Sequence, residues 1–197
     1  MWRPDPEWNF RVSGVEALAA RVLKDSDPEL ANRSLVIAEE DWKYAAEGLN
    51  TAAPLAEVYG AQDELERISF GVVASVELYL ATGDDRYAQE AIVLGDLVLS
   101  SQERTLQPWT IPLTGFFYTS PKRENLFHRF HIGQEQESIV ALIRLCEAFP
   151  DHEKWMCLPP CKERPILRAG RVPRTKEWSG DNRACKFVSW RIQSSFA

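Results

Sequence analysis

Residues 63–102 place the tightest constraint on the fold. After Asp63, the apolar residues Leu65, Ile68, Val72, Val76, Tyr79 and Leu80 recur at steps of three and four, one stripe along an α-helix. Ala81-Thr82-Gly83-Asp84-Asp85 then interrupts the pattern. Gly83 lies just past the last periodic residue, where a left-handed residue can end a helix without strain. Asp84 or Asp85 can cap the next helix, its charge favoured by the N-terminal dipole. That second helix carries Tyr87, Ala88, Ala91, Ile92, Leu94, Leu97 and Val98 and ends by Gln102. It is apolar around most of its circumference, so more than one partner must bury it. A lone hairpin cannot cover both helices, and further elements must stack on each side.

The flanking sequence supplies them. Residues 1–12 hold Trp2, Pro4, Pro6 and Trp8 without helical period and predict an extended lead-in. Val15, Leu18, Ala19, Val22 and Leu23 predict a short first helix with Ser13 as a candidate N-cap. Asp27 and Pro28 suit the N-cap and N1 of a second helix, with Leu30, Leu35, Ala38, Trp42 and Ala45 inward and Gly48 as its stop. A loop at 49–62 precedes the central hairpin, and a long connection at 103–133 follows it. A last helix begins near Gln134 and carries Ile139, Val140, Leu142, Ile143, Cys146 and Phe149. Short turns thus fall at 25–27, 82–84 and 150–151, and long loops at 48–62 and 103–133. The expected fold is all-α, a stack of antiparallel helical hairpins with every long loop at one end. Loops carry sites, so that end is the expected functional face.

Composition fits a soluble globular chain: of 197 residues 45% are apolar and 26% charged. No apolar run approaches the ~18 residues of a membrane span, so no membrane partner is expected. Met1-Trp2-Arg3-Pro4-Asp5 has no apolar core and is no signal peptide, which leaves a cytoplasmic chain or one without its true start. Localisation is otherwise open, and without a secretion signal disulfides are not expected. The net charge of −6 is uneven. From Cys157 onward there are nine Lys/Arg and three Asp/Glu, with four prolines and three of the four cysteines. This predicts a domain over 1–156 and a basic tail over 157–197 without a packed core, such as a frame change or truncation would produce. Cys157, Cys161 and Cys185 can suggest zinc, and the charge can suggest nucleic acid, but aperiodicity and proline favour neither.

Several segments resemble glycoside hydrolase family 9. Ala20-Arg21-Val22-Leu23-Lys24-Asp25-Ser26-Asp27-Pro28 and Ala38-Glu39-Glu40-Asp41-Trp42 look like its early helices. Glu77-Leu78-Tyr79-Leu80-Ala81-Thr82-Gly83-Asp84 and Pro112-Leu113-Thr114-Gly115 look like its following hairpin and loop, and the first of these also resembles other six-hairpin glycosidases. The resemblance covers about residues 14–155. It implies a partial (α/α)6 toroid and, for a complete homologue, hydrolysis of β-linked glucan-type glycosides with inversion and no cofactor. The family's Asp-Ala-Gly-Asp base segment and late acid Glu have no counterpart in the matched part, so the chain is expected to be inactive as given. An incomplete ring also implies an exposed apolar edge and self-association.

Phe127-His128-Arg129-Phe130-His131-Ile132-Gly133-Gln134-Glu135-Gln136-Glu137 is the densest chemical run. With Trp109 and Tyr118 on the same long loop, His128, Arg129 and His131 make a candidate carbohydrate subsite: aromatic faces stack on sugars while polar groups fix their hydroxyls. The plainer alternative makes Trp109 a core plug, His128 and Arg129 loop caps, and Glu135 and Glu137 a solvated first turn. Glu135 and Glu137 are the weak catalytic candidates. Inversion needs two carboxyls ~6.5–9.5 Å apart across the bond, and residues at i, i+2 on a helix diverge. His128 and His131 lack a third ligand at a natural spacing, so no metal is expected. The other readings are an unsaturated uronyl hydrolase type of toroid and a non-catalytic α-solenoid that binds protein.

Overall fold

A computed structural model describes residues 6–51, 64–110, 113–127 and 136–152. Among them are five α-helices and no strand: α1 (Pro6–Leu23), α2 (Pro28–Thr51), α3 (Glu64–Thr82), α4 (Asp85–Ser100) and α5 (Glu137–Ala148). The protein is all-α, with helices packed on helices. The expected boundary at 156 and the tail 157–197 lie outside the described residues. No helix among the described residues is long and apolar enough to cross a membrane.

The short turns are built as their residues demand. Asp27 caps α2, its Oδ1 accepting from Leu30 N–H at 3.0 Å, and Pro28 stands at the first helical position. Gly83 takes φ of +74°, and its N–H donates to Tyr79 C=O at 2.7 Å. Asp84 then caps α4 by accepting from Arg86 N–H at 2.9 Å.

At α1 the structure differs from the expectation. The lead-in is helical from Pro6, whose fixed φ suits a first turn, and Glu7 stands at the positive end of the dipole. Ser13 is no cap: it lies mid-helix, and its hydroxyl donates to Ala38 C=O at 2.8 Å. The buried face is Phe10, Ser13, Gly14, Ala17 and Ala20, while the larger Val15, Leu18 and Val22 are exposed. Close approach explains the choice of small side chains. A Cβ placed on Gly14 would stand 3.5 Å from Ala74 Cα of α3. On α2, Gly48 does not stop the helix; the Pro6 ring lies against it. Ala38 and Ala45 are buried and Leu35 and Trp42 partly so, but Leu30 is exposed.

Two layers result. α1, α3 and α5 lie side by side and run one way; α2 packs on α1 and α3, α4 packs on α3 and α5, and both run back. The middle helix α3 touches all the others. Its Leu65, Ile68, Val72 and Val76 meet Ala91, Leu94 and Val98 of α4 and Ala141, Leu142 and Leu145 of α5. Each fully buried large aliphatic contributes roughly 1.5–3 kcal/mol. Its other side meets Phe10 and Ala45 through Phe70 and Ala74, and Ala17 and Ala38 through Leu78. Trp42 Nε1 donates to Ser75 Oγ at 2.8 Å, joining α2 to α3. Glu77, 3% exposed, joins the three helices of one layer. One carboxylate oxygen accepts from Arg144 of α5, and the other lies 3.2 Å from Arg21 of α1. Cys146 is disulfide-bonded, against the expectation that no disulfide would form.

The short turns share one end, as expected, and the start of α3, the end of α4 and the start of α5 share the other. Leu65 N–H donates to Thr119 C=O at 2.9 Å, and the Ser69 and Ser138 hydroxyls meet at 3.0 Å. The long loop is therefore fastened over the N-terminal end of α3.

Candidate functional site

The long loop begins where α4 ends. The described residues 101–110 and 113–127 double back on themselves through two isolated bridges, Gln102 with Phe117 and Tyr118 with Leu126. Glu103 organises this segment from both its backbone and its side chain. Its N–H donates to Phe116 C=O at 2.8 Å, and its own C=O accepts from Gly115 N–H at 2.7 Å. The side chain is buried. One carboxylate oxygen accepts from Thr105 N–H at 2.8 Å and from the Thr105 hydroxyl at 2.5 Å. The other accepts from the Tyr118 hydroxyl at 3.2 Å and lies 3.9 Å from Arg123 Nη1. The Thr105 hydroxyl and N–H, helped by Tyr118 and Arg123, hold the Glu103 carboxyl at about 2 against the effect of burial. It is a permanent anion across the physiological range and no general acid.

Arg123 locks the other side. It has φ of +59°, in the left-handed region that non-glycine residues avoid. Its guanidinium holds it there by donating to the C=O groups of Ser100 at 2.9 Å and Gln102 at 2.7 Å. Those carbonyls close α4, where a positive charge is favoured. Its guanidinium carbon also lies 5.7 Å from the centre of the Tyr118 ring.

Above this frame the aromatic rings line up. Tyr118 meets Phe116 edge-on at 5.4 Å, and Phe116 stacks on Trp109 at 5.3 Å with 21° between the planes. Trp109 is 43% exposed, so it is no core plug. With one face resting on Phe116, it offers its indole to solvent. The structure thus brings two of the expected contact residues, Trp109 and Tyr118, into one row.

The others are divided. His128, Arg129, His131 and Glu135 lie outside the described residues. Glu137 opens α5, half-buried, next to the Ser138 hydroxyl that meets Ser69. Among the described residues, no group of three or more His, Cys, Asp or Glu side chains is placed to hold a metal ion.

Glu103, Phe116 and Arg123 escape a sequence reading. The one local signal is the Glu103-Arg104-Thr105 order, in which a carboxylate can accept from the N–H two residues on. The role of Arg123 depends on carbonyls 21 to 23 residues away and leaves no local trace. No family model matches the sequence, and no curated protein matches it.

Proposed function

We propose that the long-loop end binds a saccharide, and that the chain is related to the six-hairpin glycosidases, most like family 9. The observation that supports this is the Trp109–Phe116–Tyr118 row, seated on a fixed anion and a fixed cation at the loop-bearing end of a two-layer helical stack. A flat aromatic face, supported from behind so that it cannot collapse inward, suits the apolar face of a β-linked sugar, and adjacent polar groups suit its hydroxyls. His128, Arg129 and His131 follow this loop in sequence and are the proposed hydroxyl contacts. Hydrolysis by inversion would need a carboxyl pair. In the proposed family those groups belong to segments for which this sequence offers no match, so the reading is binding without turnover.

The test is titration of soluble β-linked oligosaccharides followed by calorimetry, with hydrolysis of β-glucan and aryl glycosides measured beside it. Binding in the millimolar range or tighter, weakened about tenfold by Trp109→Ala, is expected. Turnover abolished by Glu135→Gln or Glu137→Gln would refute the assignment of catalysis elsewhere. Absence of any saccharide binding would favour the α-solenoid reading, and selective binding of unsaturated uronides would favour the uronyl hydrolase type.

A further inference from the structure

The first hairpin is apolar on two sides. On α1 the packed face is Phe10, Ser13, Gly14, Ala17 and Ala20, yet Trp8, Val12, Val15 and Val22 follow at spacings of four, three and seven along the opposite face. They are 58%, 41%, 66% and 70% exposed. A helix with apolar stripes on both sides belongs between two neighbours, and only one side is occupied among the described residues.

α2 repeats the pattern. Going round it, the Trp42 side meets α3 and the Ala38 and Ala45 side meets α1. The next face, away from α3, carries Leu30, Ile37 and Tyr44, at i, i+7 and i+14, each exposed. The two stripes therefore share one edge of the layered stack. Together these seven residues leave an extended run of apolar side chains open to solvent, the kind of surface that marks an interaction site.

The register of the hairpin and its charges identify the occupant. Ser13 bonds Ala38, Asn9 bonds Asp41 at 2.7 Å, and Pro6 lies against Gly48. These contacts put Val15 and Ile37 within about one residue of the same level. Each is the midpoint of its own stripe: Trp8 and Val22 are equidistant from Val15, and Leu30 and Tyr44 from Ile37. One two-fold axis through Val15 and Ile37 therefore pairs both stripes with themselves, antiparallel. The same axis brings the exposed Arg33 opposite the partner's Glu40, and Glu40 opposite the partner's Arg33.

We infer that this edge is an isologous interface between two copies of the chain, with α1 against α1 and α2 against α2. The inference stands apart from the saccharide reading, since the edge uses neither Trp109 nor the long loop.

Sedimentation velocity on the full chain tests it. At about 10 µM the expected mass is twice the 22.5 kDa of the chain. Val15→Glu should give a monomer with unchanged helical circular dichroism, because Val15 is exposed within the protomer. Arg33→Glu and Glu40→Arg each set like charges against each other and should weaken the dimer about tenfold or more; the double reversal should restore it. A monomer at every concentration would overturn the inference. So would an open-ended series of larger species, which marks a head-to-tail contact, or a double reversal no tighter than the single ones.

Discussion

Replacing Glu77 by Gln isolates the ion pairs that hold one layer together. The side chain is 4% exposed, whereas Arg21 and Arg144 are 31% and 28% exposed. Removing one partner of a fully buried pair costs ~3–5 kcal/mol, because the remaining charge is stranded. Here both arginines can reach water, and Arg144 also holds Glu147 at 2.5 Å. The Arg21 contact lacks hydrogen-bond geometry at the carboxylate. The loss should therefore fall below that range, at about 2 kcal/mol, chiefly from the Arg144 hydrogen bond and the attraction of two cations to one buried anion. For a chain of this size that is a fall in Tm of roughly 4–8 °C. Thermal and urea unfolding followed by circular dichroism measure it, the urea midpoint falling while the slope stays fixed. Arg144→Gln should account for more of the loss than Arg21→Gln, and the three substitutions should combine non-additively. A loss under about 0.5 kcal/mol would place Glu77 among surface-like pairs and refute its role in joining α1, α3 and α5.

Two further outcomes follow from single residues. The Glu103 carboxyl is held at about 2, below its usual value of about 4.3 in an unfolded chain. Its contribution to loop structure is therefore present above that usual value and is lost as pH falls from there through about 2. Trp109 fluorescence should report this acid transition, and Glu103→Gln should remove it. Gly83→Ala places a side chain at φ of +74° in open space, so the cost is backbone strain alone, about 1 kcal/mol in urea unfolding. A neutral result there would mean that the turn relaxes to another shape.

Much of the fold was legible because α3 and α4 obey one rule. Leu65, Ile68, Val72 and Val76 have the period of a helix packed on one side by large residues, and they are buried. The turns are legible because Asp27, Gly83 and Asp84 act locally, within four residues of themselves. The core face of α1 escapes the sequence because, apart from Phe10, it is made of Ser, Gly and Ala, which carry little hydrophobic signal, while its valines are exposed. The candidate site was legible only as composition. Trp109 and Tyr118 stand out as aromatics, but Phe116 between them and Glu103 beneath them are tied in by contacts that only the folded loop creates.

The small residues between α1 and α3 also bear on entropy. Ordering a Leu or Ile side chain gives up roughly 0.5–1 kcal/mol of rotamer freedom, and ordering a Met up to about 2; Gly and Ala give up almost none. Gly14, Ala17 and Ala74 bring α1 and α3 together with few side chains to order there, chiefly Phe10, Phe70 and Leu78. The Leu- and Val-rich contact between α3 and α4 gains more from burial but freezes more rotamers. Warming penalises frozen rotamers in proportion to their number. The two sides of α3 should therefore weaken differently with temperature, the α4 side giving up more of its margin per degree than the α1 side.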